Sequence, residues 1–278
     1  EEGKTIFSFE VFPPKKESGI ETVYDTIEKL TDLKPDFISV TYGAGGSGVT
    51  NPITKDICSK IKNEYKLETI AHLSCINNTK DEIDKILEEL KKEGIDNILA
   101  LRGDRVEGLE PKKDFTYASD LTKYIMDKGG FHVSGACYPE VHMEAKDAVD
   151  DIKNLKKKVD AGADHLISQL FFDNRVFYDF LERARIADIN VPIEAGIMPV
   201  TSKSQIERMV TMCGASIPAS LSRIMQRYES NPEALRDAGI AYAINQIIDL
   251  AANGIDGVHI YTMNNPYVAR KITEGVES

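Results

Sequence analysis

Eight short apolar segments, each followed by a stretch with helical spacing, constrain this chain more than any other feature. They are TIFSFEVF, DFISVTYG, ETIAHLSC, NILALRGD, HVSGACYPE, HLISQLFFD, PIEAGIMPV and GVHIYTMN. Between them, stretches such as IETVYDTIEKLTDL, TKDEIDKILEELKKEG and DAVDDIKNLKKKVDAG carry apolar residues three and four apart, the spacing of one helix face. Gly94 and Gly162 stand where helix C-terminal caps belong. Strands that alternate with helices build parallel β/α units, and eight such units close a barrel. The expected fold is therefore α/β, a single-domain TIM (β/α)8 barrel over residues 1–278. An extra helical segment from Ala219 to Asn253 interrupts the rhythm before the last strand.

An open doubly wound sheet is the rival, and GAGGSG at 43–48 literally matches the dinucleotide fingerprint. The match follows the second strand rather than the first, Pro52 intrudes, and no acidic residue ends the next strand. These glycines are read instead as a strand-end loop that passes close to a ligand.

Composition excludes several classes. The net charge of −11 disfavours nucleic acid or an anionic membrane as the main partner, so an anionic ligand needs a local basic cluster. No apolar run approaches the roughly 18 residues of a membrane helix, and no signal-peptide pattern opens the chain. Cys58, Cys75, Cys137 and Cys213 lie far apart without a C-x-x-C pair, which argues against a disulfide framework or a zinc ribbon and for the reducing cytoplasm.

A barrel places its functional groups at the C-terminal strand ends, and the polar residues fall there. Glu10 ends the first strand, Thr41 and Tyr42 the second, His72 and Ser74 the third, Arg102 and Asp104 the fourth. Tyr138, Glu140 and His142 follow the fifth, Gln169 and Asp173 sit in the sixth, and Tyr261 and Asn264 close the eighth. Glu10 lies in SFEVFPPK among apolar neighbours, just before a double proline that ends any strand. It reads either as a solvated partner of a lysine at a strand edge or as a carboxyl group facing a cavity, suited to general-acid work.

His132 and His165 fall at strand beginnings and His259 inside a strand, so structural roles are expected for them. His72 and His142 have no ligand partner at close helical spacing, which favours cofactor or substrate contact over metal binding; no metal is expected. Asp151, Asn154 and Lys158 share one helix face. That face is either a solvated, salt-bridged surface or a set with a lysine for phosphate and an aspartate for ribose hydroxyls.

Taken together, FSFEVFPPK, SVTYGAGGS, AHLSC, ALRGD, YASDL, CYPEVHMEAK, NLKKKVDAGADHLISQLFFD, GIMPV and YTMN run in order from about residue 6 to residue 264. In this the chain resembles methylenetetrahydrofolate reductase of the bacterial type. The resemblance implies an FAD-dependent TIM barrel, without the regulatory domain that eukaryotic members append. Hydride would pass from NADH or NADPH to flavin, then from flavin to 5,10-methylenetetrahydrofolate, giving 5-methyltetrahydrofolate by ping-pong kinetics. It implies Glu10 as the acid that helps open the substrate's five-membered ring. Asp104 would stand beside the flavin pyrimidine edge and hold the pterin. Matching FAD-contacting positions are Thr41, Tyr42, Ala44, His72, Arg102, Gly103, Asp104, Tyr117 and Ala118. They continue with Tyr138, His142, Ala145, Asp151, Asn154, Lys157 and Lys158. Gln169 matches a residue that touches folate and nicotinamide in turn, Gln205 a folate contact, and Tyr261 is placed on the substrate side. A homo-oligomer is expected.

Three positions depart from the family pattern. Asn265 stands where the best-known bacterial members carry an arginine, so an expected partner of the folate glutamate tail is missing. Met209 replaces an aromatic packing residue, and Lys157 replaces a phosphate-side arginine, keeping charge but losing bidentate geometry. The alternative function is a non-catalytic or partner-dependent folate/flavin-binding subunit that receives electrons through another protein.

Overall fold

The computed structural model describes residues 4–42, 52–105, 108 and 110–277. Eight strands form a closed barrel in sequence order. They are β1 (Ile6–Val11), β2 (Phe37–Val40), β3 (Glu68–Ser74), β4 (Asn97–Leu101), β5 (His132–Cys137), β6 (His165–Ser168), β7 (Ile193–Ile197) and β8 (Gly257–Tyr261). Neighbours run parallel: Ser8 to Val11 pair with Phe37 to Val40, and Glu194 to Ile197 with Gly257 to Ile260. The helices are α1 (Ile20–Thr31), α2 (Pro52–Ser59), α3 (Lys80–Lys92), α4 (Ala118–Lys128) and α5 (Ala148–Asp160). They continue as α6 (Asn174–Ile186), α7 (Lys203–Cys213), α8 (Ala219–Tyr228), α9 (Pro232–Ala252) and α10 (Pro266–Glu277). The extra segment expected before the last strand is thus the pair α8 and α9. The GAGGSG stretch, with Ala44, lies outside the described residues.

Strand composition follows from burial on both faces. All four residues of β2 and all five of β7 are buried, so both faces of these strands are covered, with the polar Ser39 and the charged Glu194 buried among apolar neighbours. Helices show the other pattern. In α3, Ile83, Ile86, Leu87 and Leu90 are the buried residues, one stripe at three- and four-residue spacing. Its start is fixed by a reciprocal cap: Glu82 N donates to Thr79 Oγ1 (3.2 Å) and Thr79 N to Glu82 Oε2 (2.7 Å).

The described residues fall into two compact units. One is Ser8–Ala136 with Lys157–Leu166, and its core includes fully buried Phe9, Ile27, Leu30, Ile38, Ile57, Leu73 and Ile83. The other is Glu1–Phe7, Cys137–Lys156 and Ile167–Ser278. Its core gathers Leu170, Phe172, Met198, Val200, Ile206, Leu221, Met225 and Leu235 from β6 onward through α9. No helix among the described residues is long and apolar enough to cross a membrane.

Two expectations shift in detail. HLISQLFFD is strand only as far as Ser168, because side-chain hydrogen bonds take over the backbone groups after it. Asp173 is accordingly not a strand residue but the N-cap of α6, where its carboxylate accepts from Arg175 N (3.0 Å) and pairs with the Arg175 guanidinium.

Candidate functional site

In the first unit the site is built on the C-terminal ends of β1 to β4. Register brings two of the expected residues together. Glu10 pairs with Ser39, Ser39 with Ile70, and His72 stands two residues beyond Ile70 on β3. The result is a Glu10 Oε2 to His72 Nε2 separation of 3.7 Å, with the histidine buried and the carboxylate side chain 20% exposed. Glu10 is thus only partly exposed and stands beside an imidazole.

Beyond β3, the chain is tied to the end of β4. Cys75 N and Ile76 N both donate to Arg102 O (3.2 and 2.8 Å). Burial pushes the Cys75 thiol up to about 12, which makes it an inert packing group. Asn77 and Asn78, two buried residues that sequence reasoning passed over, organise this corner. Asn77 Nδ2 donates to Asp104 O (3.4 Å), and Asn78 Nδ2 donates to Ser74 O (2.7 Å) and Tyr42 Oη (3.4 Å). With its oxygen accepting, the Tyr42 hydroxyl has its own proton to offer elsewhere. The signal was the Asn-Asn pair between a strand end and the Thr79 cap. Asp104 is exposed, and Arg102 folds its Nε back to Gly103 O (3.3 Å). Thr41 N continues the ladder to Val11 O (3.0 Å).

Tyr117 is 61% exposed and precedes Ala118, the first residue of α4; Asp120 accepts from Tyr117 N (2.8 Å). Lys157 and Lys158 diverge. Lys158 lays its stem across Gly135, where any Cβ would stand 2.7 Å from Lys158 Cδ, and donates to Ala136 O (2.6 Å). Lys157 lines an open surface groove of about 450 Å³ together with Lys80, Asp114, Lys123 and Tyr124.

In the second unit, Tyr138 and His142 meet edge to face at 4.5 Å. His142 Nδ1 accepts from Glu144 N (3.0 Å), so the neutral ring carries its proton on Nε2 and presents an N–H donor. The turn that sets this ring contains Val141 at φ +72°, a left-handed conformation that a β-branched residue adopts only under strain. Glu140 ties the turn to the segment after α7 by accepting from the Ser216 N–H (3.0 Å) and the Ser216 hydroxyl. Ala145 N donates to His142 O (2.9 Å). On α5, Asp151 is half-buried and Asn154 exposed.

Two glutamines share one arrangement. Gln169 Oε1 accepts from Leu170 N (2.9 Å), and Gln205 Oε1 accepts from Thr201 Oγ1 (2.7 Å). Each therefore offers its amide nitrogen. Tyr261, half-buried, donates its hydroxyl to Ser168 O. Met209 packs against the core between α7 and α9. Asn265 turns out to be a helix cap: its Oδ1 accepts from Val268 N (3.2 Å), with Pro266 at the first position of α10.

Comparison with known proteins converges on one family. The model of the methylenetetrahydrofolate reductase family matches residues 1–277. The 5,10-methylenetetrahydrofolate reductase of Escherichia coli is 39% identical over 95% of this chain and 88% of its own length. Methylenetetrahydrofolate reductase (NADH) 1 of Arabidopsis thaliana is also 39% identical over 95% of this chain. The chain spans about half the length of such plant relatives, 47% in that case. Among solved structures, a Clostridium thermocellum protein described as binding two copies of 5-methyl-5,6,7,8-tetrahydrofolic acid superposes with a TM-score of 0.66 at 17% identity, covering 99% of this chain and 95% of that one. Dihydropteroate synthase of Xanthomonas albilineans superposes at 0.56 with 13% identity, covering 99% and 94%. The solved structures share the fold; the sequence matches carry more, and by them the chain belongs to the methylenetetrahydrofolate reductase family.

Proposed function

We propose that the chain reduces 5,10-methylenetetrahydrofolate to 5-methyltetrahydrofolate, with FAD as bound cofactor and NADH or NADPH as electron donor. The observation that carries this reading is the Glu10 carboxyl, shielded at the end of β1 beside His72 in a chain of this family. Methylenetetrahydrofolate accepts hydride well only once its five-membered ring opens to an iminium ion, and opening needs a proton at the departing nitrogen. Glu10 delivers that proton. Gln169 and Gln205 offer amide donors to acceptors on the substrate, Asp104 accepts from the pterin, and Tyr261 borders the substrate.

The donor set suits FAD. Arg102 and Lys158 supply positive charge for a diphosphate, Tyr42 and His142 supply neutral donors, and Asp151 and Asn154 suit hydroxyl groups; Lys157, in the surface groove, is not needed for this. Thr41, His72, Gly103, Asp104, Tyr117, Ala118, Tyr138 and Ala145 complete the set, with Ala44 beyond the described residues. Bound FAD would accept hydride from the nicotinamide and pass it to the folate. The Clostridium thermocellum protein gives the folate assignment a precedent on this fold, and the name of the Arabidopsis relative gives one for NADH. A homo-oligomeric enzyme of the cytoplasm fits this assignment.

The test is spectroscopic. Protein loaded with FAD under anaerobic conditions is expected to lose its flavin absorbance with reduced nicotinamide and regain it on adding methylenetetrahydrofolate. Failure to take up FAD, or reduced flavin that the folate leaves bleached, would overturn the assignment.

A further inference from the structure

The hydroxyl of Tyr261 reaches the peptide that carries Gln169. Tyr261 Oη donates to the carbonyl oxygen of Ser168, and the N–H at the other end of that peptide, from Gln169, donates to Cys137 O (2.7 Å). One peptide plane is thus held at its oxygen and at its nitrogen. The next carbonyl, Gln169 O, accepts from Ser168 Oγ (3.0 Å), and that hydroxyl oxygen accepts from Gly196 N on β7 (2.9 Å). Ser168 is fully buried, so water does not stand in for a lost donor.

Two further features show that the arrangement is built in. A Cβ at Gly196 would fall 2.2 Å from Ser168 O and 2.6 Å from Tyr261 Oη, so a residue without a side chain is the condition for this bond. The Tyr261 ring is itself seated edge-on against fully buried His259, with centroids 5.5 Å apart. Downstream, Leu170 N–H needs an oxygen, which assigns Gln169 Oε1 to it and turns the amide nitrogen the other way.

We propose that Tyr261 is a positioning residue that, through the Ser168–Gln169 peptide, sets the Gln169 amide nitrogen as the donor to a ring-nitrogen or carbonyl acceptor of the substrate. This rests on the assignment of Gln169 as a substrate contact. Removing the hydroxyl takes a donor from a buried carbonyl, and the peptide plane turns to compensate while Cys137 keeps the strand end attached. The side chain that follows then loses its aim.

Two measurements on Tyr261→Phe decide it. In ligand-free protein, the side-chain amide resonances of Gln169, assigned by their absence in Gln169→Ala, are expected to be sharp in wild type and to broaden or shift in Tyr261→Phe. Unchanged resonances overturn the proposal. In the FAD-loaded enzyme, Tyr261→Phe is expected to raise the Kd for 5-methyltetrahydrofolate about tenfold, but less than about twofold when Gln169 is already Ala, because residues acting through one another are non-additive. Equal factors in both backgrounds overturn it as well. If wild-type protein binds no 5-methyltetrahydrofolate, the proposed function falls instead, and the ligand-free resonances alone decide the positioning role.

Discussion

Replacing Glu10 by glutamine separates the two halves of the proposed reaction. The amide keeps the shape of the carboxyl group, and the 3.7 Å gap to His72 Nε2 is longer than a hydrogen bond, so no short bond to that histidine is lost. Glu10 sits at the end of a strand whose neighbours Phe9 and Val11 are fully buried and unaltered by the change. The effect on stability should therefore be that of an ordinary point substitution, about 1 kcal/mol. The effect on chemistry should be larger. A glutamine cannot release a proton near neutral pH, and a lost general acid costs ~10²–10⁴ in rate, or about 2.7–5.5 kcal/mol of barrier. Only ring opening of methylenetetrahydrofolate needs that proton; flavin reduction by nicotinamide does not. Anaerobic stopped-flow absorbance follows each half-reaction separately. Reduction is expected within about twofold of wild type, with reoxidation by the folate slowed at least 100-fold on that scale. Equal slowing of both would move Glu10 to cofactor positioning. Unaltered reoxidation would remove it from the chemistry altogether.

The strained turn at Val141 and the cap at Asn265 give two further expectations. Val141→Gly relieves a left-handed β-branched residue, a strain of roughly 1–3 kcal/mol, against about 0.5–1 kcal/mol of added chain entropy. Thermal denaturation should rise by ~2 °C while FAD dissociates faster, because the His142 ring loses its fixed turn; a lower Tm would refute the strain assignment. Asn265→Arg restores the arginine of the best-known bacterial members but deletes the cap of α10, at a cost of about 1 kcal/mol. The variant should melt a few degrees lower while its KM for folate falls, and an unchanged melting curve would show that the cap contributes nothing.

Strand and helix identity was legible in the sequence because it is a local property. Short, mostly apolar segments such as FISV and IEAGI mark buried strands, and the stripe of Ile83, Ile86, Leu87 and Leu90 marks a helix packed on one side. Eight repeats of that alternation leave a closed barrel as the favoured arrangement, and the polar residues at the strand ends follow from the barrel. The family motifs added the chemical roles, all of them from the primary sequence. What the tertiary structure alone decided is which of those residues meet. Glu10 and His72 are 62 positions apart in the chain and come within 3.7 Å through the register of three strands, which no local pattern encodes. Lys157 and Lys158 look equivalent in a run of three lysines, yet the 100° step between successive helical residues sends one to a surface groove and the other across Gly135. Asn265 reads as a missing arginine until the start of α10 makes it a cap. The hydroxyl of Tyr261 reaches Ser168 only because Gly196, 65 residues earlier, leaves the space for it. Side-chain type is written residue by residue; partnership depends on register and on the room a neighbouring strand leaves.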